Sequence, residues 1–473
     1  MLLSSLEYMA LFFPLVVVGC MLLRRFASPK AAQAWILMAS IVFYGWWKPT
    51  HLPYLFGSIL VNQLLVRAVG RAEQPLRKRL LQLGLFLNIG YLCLFKYVNF
   101  LLSSLPFVVP KGFHFVDLEF PLGISFFTLT QIMYLVDVYE SLLPPMKLFD
   151  YATFVSFFPY VISGPIPKAK RMLHQFGDFG GKDGELGVMF TRGAFLFTIG
   201  LAKKILFADT FGRIANTGFN ATAHLSALEA WAFTLLYAFQ MYFDFSGYSD
   251  MAIGSALMLG IEIPRNFDAP LRSLSIIEFW TRWHISLSQF ITTYLYTPLV
   301  KSMWRISLTT SAIATIIAMS IAGLWHGPAW TYVIYGLIHG IALACNQFWR
   351  KKKMPHIPAF PSWLITFTVV LVALLFFRAN TLHAAATMAA SLVNPIHPLA
   401  AGILVPAVRD VPMLNLLMLP FGAAIAFFGK SSDDLSRNFV PTLKNAVGTA
   451  GLFAFACVLM AFNTTQNFLY FQF

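Results

Sequence analysis

The sequence predicts an all-α polytopic integral membrane protein, and three observations carry the prediction. Hydrophobic residues make up 58% of its 473 positions and charged ones only 11%, where a soluble globular chain carries about 25% charged residues. The mean hydropathy is +0.68. Apolar runs repeatedly reach the length of about 20 residues that a helix needs to cross a bilayer core of roughly 30 Å. Such runs are too long for barrel strands, and a helix satisfies the backbone polar groups of each span within the span itself.

In chain order the candidate spans are 5–23, 33–47, 53–69, 80–105, 120–139, 188–208, 226–243, 274–299, 307–325, 329–349, 361–378, 411–428 and 445–462. The segments 150–166 and 251–263 are candidates for re-entrant structure, giving about 11–13 full crossings plus re-entrant segments. Glu7 precedes the first span and Arg24, Arg25 and Lys30 follow it. With no basic stretch of the cleaved-leader kind before it, that span reads as a retained helix whose start lies outside.

Basic clusters orient the rest. Arg67, Arg71, Arg77, Lys78 and Arg79 mark one cytoplasmic loop, and Lys301 with Arg305 a second. Arg350, Lys351, Lys352 and Lys353 mark a third, and Lys430, Arg437 and Lys444 a fourth. The two spans between the second and third clusters then form one helical hairpin, whose bend is the GLWHG of residues 323–327. His326 at that bend is placed away from the cytoplasm.

The formal charge is +14, from 34 Lys and Arg against 20 Asp and Glu. In a soluble protein that balance suggests nucleic acid. Here the basic residues stand in short stretches between apolar runs, as the positive-inside rule requires, so the partner they indicate is membrane lipid and not nucleic acid. Cys20, Cys93, Cys345 and Cys457 lie in apolar segments without a CxxC pair and read as small core residues. No metal-ligand spacing appears, and no Walker A, GxSxG or dinucleotide fingerprint.

Ionisable groups inside spans are costly and mark functional candidates. The first such stretch is YFDFSGYSD, 242–250, where Asp244, Ser246, Tyr248 and Asp250 surround Gly247. The glycine lets backbone approach closely or unwind. The stretch reads either as a polar wall of a substrate cavity or as a hydrogen-bonded structural network at a helix break. The second is EFWTRWHISLSQFITTYLY, 278–296. As one helix it puts Glu278, Arg282 and Ser286 on one face at i, i+4 spacing and His284 on another, with Trp280 and Trp283 suited to a membrane interface. His284 is either a satisfied core histidine or part of a reaction path. The third is GLWHGPAW, 323–330, where Trp325 and His326 stand between Gly323 and Gly327 and Pro328 suits the first turn of the next helix. A helix end leaves backbone groups unpaired. An imidazole there can be neutral near pH 7 and accept a proton, or it can simply cap the helix. His339, one helix further on, is the more ordinary core histidine.

At these residues the chain resembles the membrane-bound O-acyltransferases, in the branch of the alginate O-acetylase. The stretches that carry the resemblance are PLGISFFTLTQIMYLVDVYES (121–141), FFPYVISGPIPK (157–168), GLAKKILFADT (200–210), YFDFSGYSDMAIG (242–254), IPRNFDAPLRSLSIIEFWTRWHISLSQFITTYLYTPL (263–299), GLWHGPAWTYVIYGLIHG (323–340) and FLYFQF (468–473). They occur in family order and span most of the chain. One departure is Ile291, Thr292 and Thr293, where relatives usually carry an Arg-Asp pair.

The resemblance implies a single membrane-embedded acyltransferase domain over 1–473, with its catalytic core at about 120–350. It implies acyl transfer from a cytoplasmic thioester, acetyl-CoA, to an acceptor handled on the outer side of a bacterial inner membrane, with no further cofactor. The family's invariant histidine falls on His326 and its second on His284. Asp244, Ser246, Tyr248, Asp250, Arg282, Trp283 and Trp325 are the accompanying candidates for substrate binding. The branch implies a polysaccharide acceptor such as alginate and a periplasmic partner protein that places the acetyl group. The loops 106–119 and 379–410, expected on the outer side, fit that division, since they are short and carry few aromatics beyond Phe107, Phe113 and Phe115. Peptidoglycan O-acetylation and D-alanyl transfer to teichoic acid are alternatives within the enzyme class. A transporter with His and Asp sites is the alternative outside it, and it lacks the internal repeat many transporters show.

Overall fold

A computed structural model describes residues 1–104, 119–177, 183–222, 225–393, 402–409, 411, 413–462 and 468–469. Among these the regular secondary structure is entirely helical. The outward loop with Phe107, Phe113 and Phe115, and the end of the motif at 470–473, lie outside the described residues. Among the described residues six helices are long and apolar enough to cross a membrane: Tyr8–Phe26, Pro49–Arg71, Leu76–Ser103, Leu308–His326, Ala359–Arg378 and Leu443–Ala461. Three shorter ones, Ile124–Tyr139, Leu382–Val393 and Leu416–Phe428, are also apolar. Ala227–Met258 is not among the six, because Gln240, Asp244, Ser246 and Asp250 interrupt its apolar run. The expected span 274–299 is broken into short helices.

The chain forms two compact units, one of Met1–Phe197 with Met251–Pro264, the other of Thr198–Asp250 with Arg265–Phe473. The first is built on an aromatic cluster in which Tyr8 meets Phe12, Phe13, Phe43, Phe158 and Phe197 at 5.3–6.3 Å between ring centroids. The Tyr8 hydroxyl donates to Ser255 Oγ at 2.7 Å. Asn62 and Asn88 exchange side-chain amide hydrogen bonds of 3.1 and 2.7 Å and tie two neighbouring helices together, the polar glue used where lipid supplies no hydrophobic drive between helices. The expected re-entrant segment 150–166 is a helix, Leu148–Ser156, followed by buried turns through 164. Its irregular backbone is tolerated because protein surrounds it, as where Phe158 N–H donates to Ser40 Oγ at 3.1 Å. The other, 251–263, is no separate hairpin, since its first half continues the Ala227–Met258 helix.

The second unit contains the predicted hairpin, Leu308–His326 against Trp330–Lys351. Ser307 starts its first helix with a capping box, its hydroxyl accepting from Thr310 N–H while Thr310 Oγ1 accepts from Ser307 N–H. Trp304, beside Lys301 and Arg305, is 89% exposed, as an interfacial anchor should be. The two helices approach backbone to backbone at Gly336, where an added Cβ would lie 2.2 Å from the Met319 carbonyl oxygen. Small residues permit such contact between membrane helices. Gly336→Val is therefore expected to destabilise at or above the top of the ~1–3 kcal/mol range typical of overpacking, because the obstruction is backbone and cannot rotate away. The check is apparent melting in detergent, and unchanged melting would show that the hairpin yields. Of the cysteines expected in the core only Cys20 is buried; Cys345 is exposed on an apolar helix, where burial inside protein is not required.

Candidate active site

A π-helical turn, Lys203–Ala208, holds two lysines inside the second unit. Lys203 Nζ donates to Asp250 Oδ2 at 2.7 Å and to Ser432 Oγ at 2.5 Å. Lys204 Nζ lies 2.8 Å from both Asp209 Oδ1 and Asp244 Oδ1. Asp244 Oδ2 also accepts from Leu469 N–H at 2.8 Å. Buried charges need such partners, since taking each ion out of water costs several kcal/mol. The helix carrying the two aspartates does not break. Ala227–Met258 is continuous through Gly247, so the unwinding considered for this stretch does not occur and the close approach does: a Cβ there would stand 2.7 Å from the Gly200 carbonyl oxygen. Tyr248 stacks on Phe468 at 4.2 Å, and the Ser246 hydroxyl is buried without a hydrogen-bond partner among the described residues.

The stretch 278–296 is not one helix. Ile276–Arg282 ends at Trp283, His284 takes a left-handed conformation with φ of +41°, and Ile285–Phe290 starts anew. A positive φ on a non-glycine residue is strained and clusters at functional sites. The cause of the break is Asn266. Its backbone carbonyl accepts from Ile285 N–H at 3.0 Å, and its Oδ1 accepts from Ser286 N–H at 3.2 Å and Ser286 Oγ at 2.9 Å. Asn266 thus caps the new helix from a distant loop. The same Oδ1 lies 3.1 Å from His284 Nδ1. An amide oxygen can only accept, so Nδ1 carries a proton, and in the neutral form of the ring Nε2 is then the accepting nitrogen. Glu278 and Arg282 form their predicted pair at 2.9 Å. Ser286 leaves their face because the helix ends between them.

His284 is 1% exposed and meets the Phe245 ring edge-on at 4.6 Å. Trp325 connects it to the second histidine, lying 6.5 Å from the His284 ring and 5.0 Å from the His326 ring. His326 ends its helix, is 5% exposed, and packs between Tyr335 at 5.9 Å and Phe377 at 5.1 Å. Gly327 follows because a Cβ there would overlap the Tyr332 ring. Pro328 sits before the cap residue Ala329 and outside the first turn of Trp330–Lys351, a small correction to its expected place. His339 is the buried core histidine that was expected, accepting from Trp280 Nε1 at 3.3 Å.

The structure thus brings His284, Trp325 and His326 together. Arg282 and Trp283 make protein contacts beside them. Arg282 donates to the Asp268 carbonyl at 3.3 Å, and Trp283 packs on Phe267 and Phe279. Neither histidine lines the pocket of about 260 Å³ between Trp280, Ser288, Thr292, Thr315, Met319 and Gln347. Among the described residues no three His, Cys, Asp or Glu side chains gather to hold a metal.

Two histidines are joined through an indole deep among apolar helices, and the sequence matches the membrane-bound O-acyltransferase family over residues 72–382. The chain belongs to the membrane-bound O-acyltransferase family. It is 39% identical to the peptidoglycan O-acetyltransferase of Helicobacter pylori, over 79% of this chain and 76% of that one. It is 33% identical to the probable alginate O-acetylase AlgI of Pseudomonas putida, over the full length of both. It is 33% identical to the teichoic acid D-alanyltransferase of Streptococcus thermophilus over 49% of this chain and 58% of that one. The protein is therefore a multi-pass membrane O-acyltransferase. For such an enzyme, Lys203, Lys204 and Asn266 are the parts sequence reasoning passed over. The lysines had a signal, two cations in an apolar run, and the rule applied to the aspartates would have found them.

Proposed function

We propose that this membrane-bound O-acyltransferase moves an acetyl group from acetyl-CoA on the cytoplasmic side of a bacterial inner membrane to a polysaccharide on the outer side, working with a periplasmic partner protein. The observation that carries the reading is His326, a buried imidazole at a helix end, linked by Trp325 to His284. A hydroxyl attacking a thioester must lose its proton, and imidazole is matched to that task near neutral pH. The basic residues Lys301, Arg305 and Arg350 to Lys353 flank the ends of the two hairpin helices opposite His326. The pocket walled by Thr315, Met319 and Gln347 lies between those ends and His326 along both helices, which supports entry of a thioester arm from the basic end, where phosphates are attracted.

Alginate, or a related secreted glycan, is the acceptor supported by the relative matched end to end. The 39% identity to a peptidoglycan O-acetyltransferase supports a second acceptor of the same chemistry, a glycan hydroxyl. The test is purified protein in liposomes with acetyl-CoA inside and either alginate or peptidoglycan fragments outside. The expected result is release of CoA inside, with glycan acetylation that requires the added periplasmic partner. Acetylation of either glycan at full rate with no other protein would sink the relay and make this chain the complete enzyme.

A further inference from the structure

Two oxygen atoms on the Ala227–Met258 helix take no part in the network described above. The Tyr237 hydroxyl and the Gln240 side-chain oxygen are buried and have no hydrogen-bond partner among the described residues. Leaving a buried polar atom unpaired costs stability, and native proteins keep few such atoms, so each calls for a reason. The spacing 237, 240, 244 puts both on the helix face that carries Asp244. Tyr237 lies within electrostatic reach of Tyr332, Tyr335, Arg378 and Asp244. Tyr335 packs on the His326 ring, and Tyr332 packs at 5.1 Å on Phe377, which itself meets that ring. Arg378, the residue after Phe377, links this aromatic group to Tyr237 through the Phe219 ring. It brings a cation to this junction, its guanidinium lying over the Phe219 ring that packs on Tyr237.

We propose that Tyr237 is a catalytic residue of the acyl transfer, its hydroxyl donating to the thioester carbonyl oxygen at the His326 site, with the Gln240 carboxamide orienting the incoming hydroxyl. The inference rests on the acetyl-transfer reading above. The acceptor oxygen attacks the carbonyl carbon while its proton passes to His326. The carbonyl π pair moves onto oxygen, where the Tyr237 O–H meets the developing charge and Arg378 favours it. Collapse re-forms the carbonyl and breaks the C–S bond, and the departing thiolate takes the proton back from the imidazolium. An acetyl ester and a free thiol result, with no redox change. A donor aimed at the oxyanion acts most strongly in a site that excludes water.

The experiment uses membranes of the producing bacterium, supplied with labelled acetyl-CoA, and reads initial rates of ester-linked acetate. Tyr237→Phe is expected to lower kcat by about 10²–10³, the loss seen when one oxyanion donor is removed, with KM for acetyl-CoA unchanged. Its apparent melting temperature should equal or exceed wild type, because an unpartnered buried hydroxyl has gone. Gln240→Met should show a smaller rate loss with melting also kept. A structural role would lower rate and melting together, and that result, or a wild-type rate in Tyr237→Phe, overturns the proposal. Equal incorporation by wild type and His326→Ala would sink the acetyl-transfer reading and the proposal with it. If wild-type membranes use another donor, only the donor assignment fails. The alkali-released acetate of cells carrying Tyr237→Phe then decides, a normal content overturning the proposal and a depleted one upholding it.

Discussion

Replacing His326 by alanine should abolish acetyl transfer while the protein still inserts and elutes as a single species. General-base catalysis contributes about 10²–10⁴ in rate, and loss of the base also leaves the departing thiolate without its proton donor. The ring packs on Trp325, Tyr335 and Phe377, so alanine removes aromatic packing as well as a base. His326→Phe separates the two effects. It refills the aromatic site without a titratable nitrogen, and should be as inactive as alanine yet closer to wild type in melting. Near-normal transfer by either variant in well-folded form would overturn the general-base role.

How far such a site can be read from sequence depends on how local its cause is. The hairpin bend was legible because Gly323, Gly327 and Pro328 punctuate an otherwise apolar run and two basic clusters bound it. His326 was legible with it, since a lone ionisable ring at a broken point in membrane-length segments is costly. The break at His284 was not. Residues 278–296 contain neither glycine nor proline, and nothing local ends the helix there. Asn266 ends it by taking the Ile285 and Ser286 N–H groups, 19 and 20 residues ahead in sequence. A tertiary cap of that kind leaves no periodicity to find.

The aspartates show the same limit from another side. Asp244 and Asp250 stood out as costly charges, and the sequence left open whether they walled a substrate cavity or joined a hydrogen-bonded structural network. Both are paired with lysines on the π-helical turn, 40 and 47 residues earlier in the chain. The neighbour of Asp244 is Phe245, the ring that meets His284. The ion pairs therefore hold the helix that holds the histidine, and the cost of breaking them should appear in stability first.

Lys204→Met is the sharpest form of that expectation. One ammonium serves two carboxylates, Asp209 and Asp244, at 2.8 Å each, and all three side chains are at most 6% exposed. Removing it leaves two buried negative charges facing each other with no cation between them. Breaking a buried pair costs about 3–5 kcal/mol, chiefly because the remaining charge is uncompensated. The variant should melt far below wild type in detergent and accumulate poorly. Asp244→Asn should be much milder, since Lys204 keeps Asp209 and the amide oxygen can still accept from Leu469 N–H. Neutralising all three, as Lys204→Met with Asp209→Asn and Asp244→Asn, should recover most of the lost melting temperature, because no ion is left to desolvate. The order of the three melting temperatures is the measurement. If Lys204→Met melts like wild type, the cluster is not what holds this helix. If Asp244→Asn instead keeps its melting temperature and loses transfer through a raised KM, the carboxylate binds substrate after all.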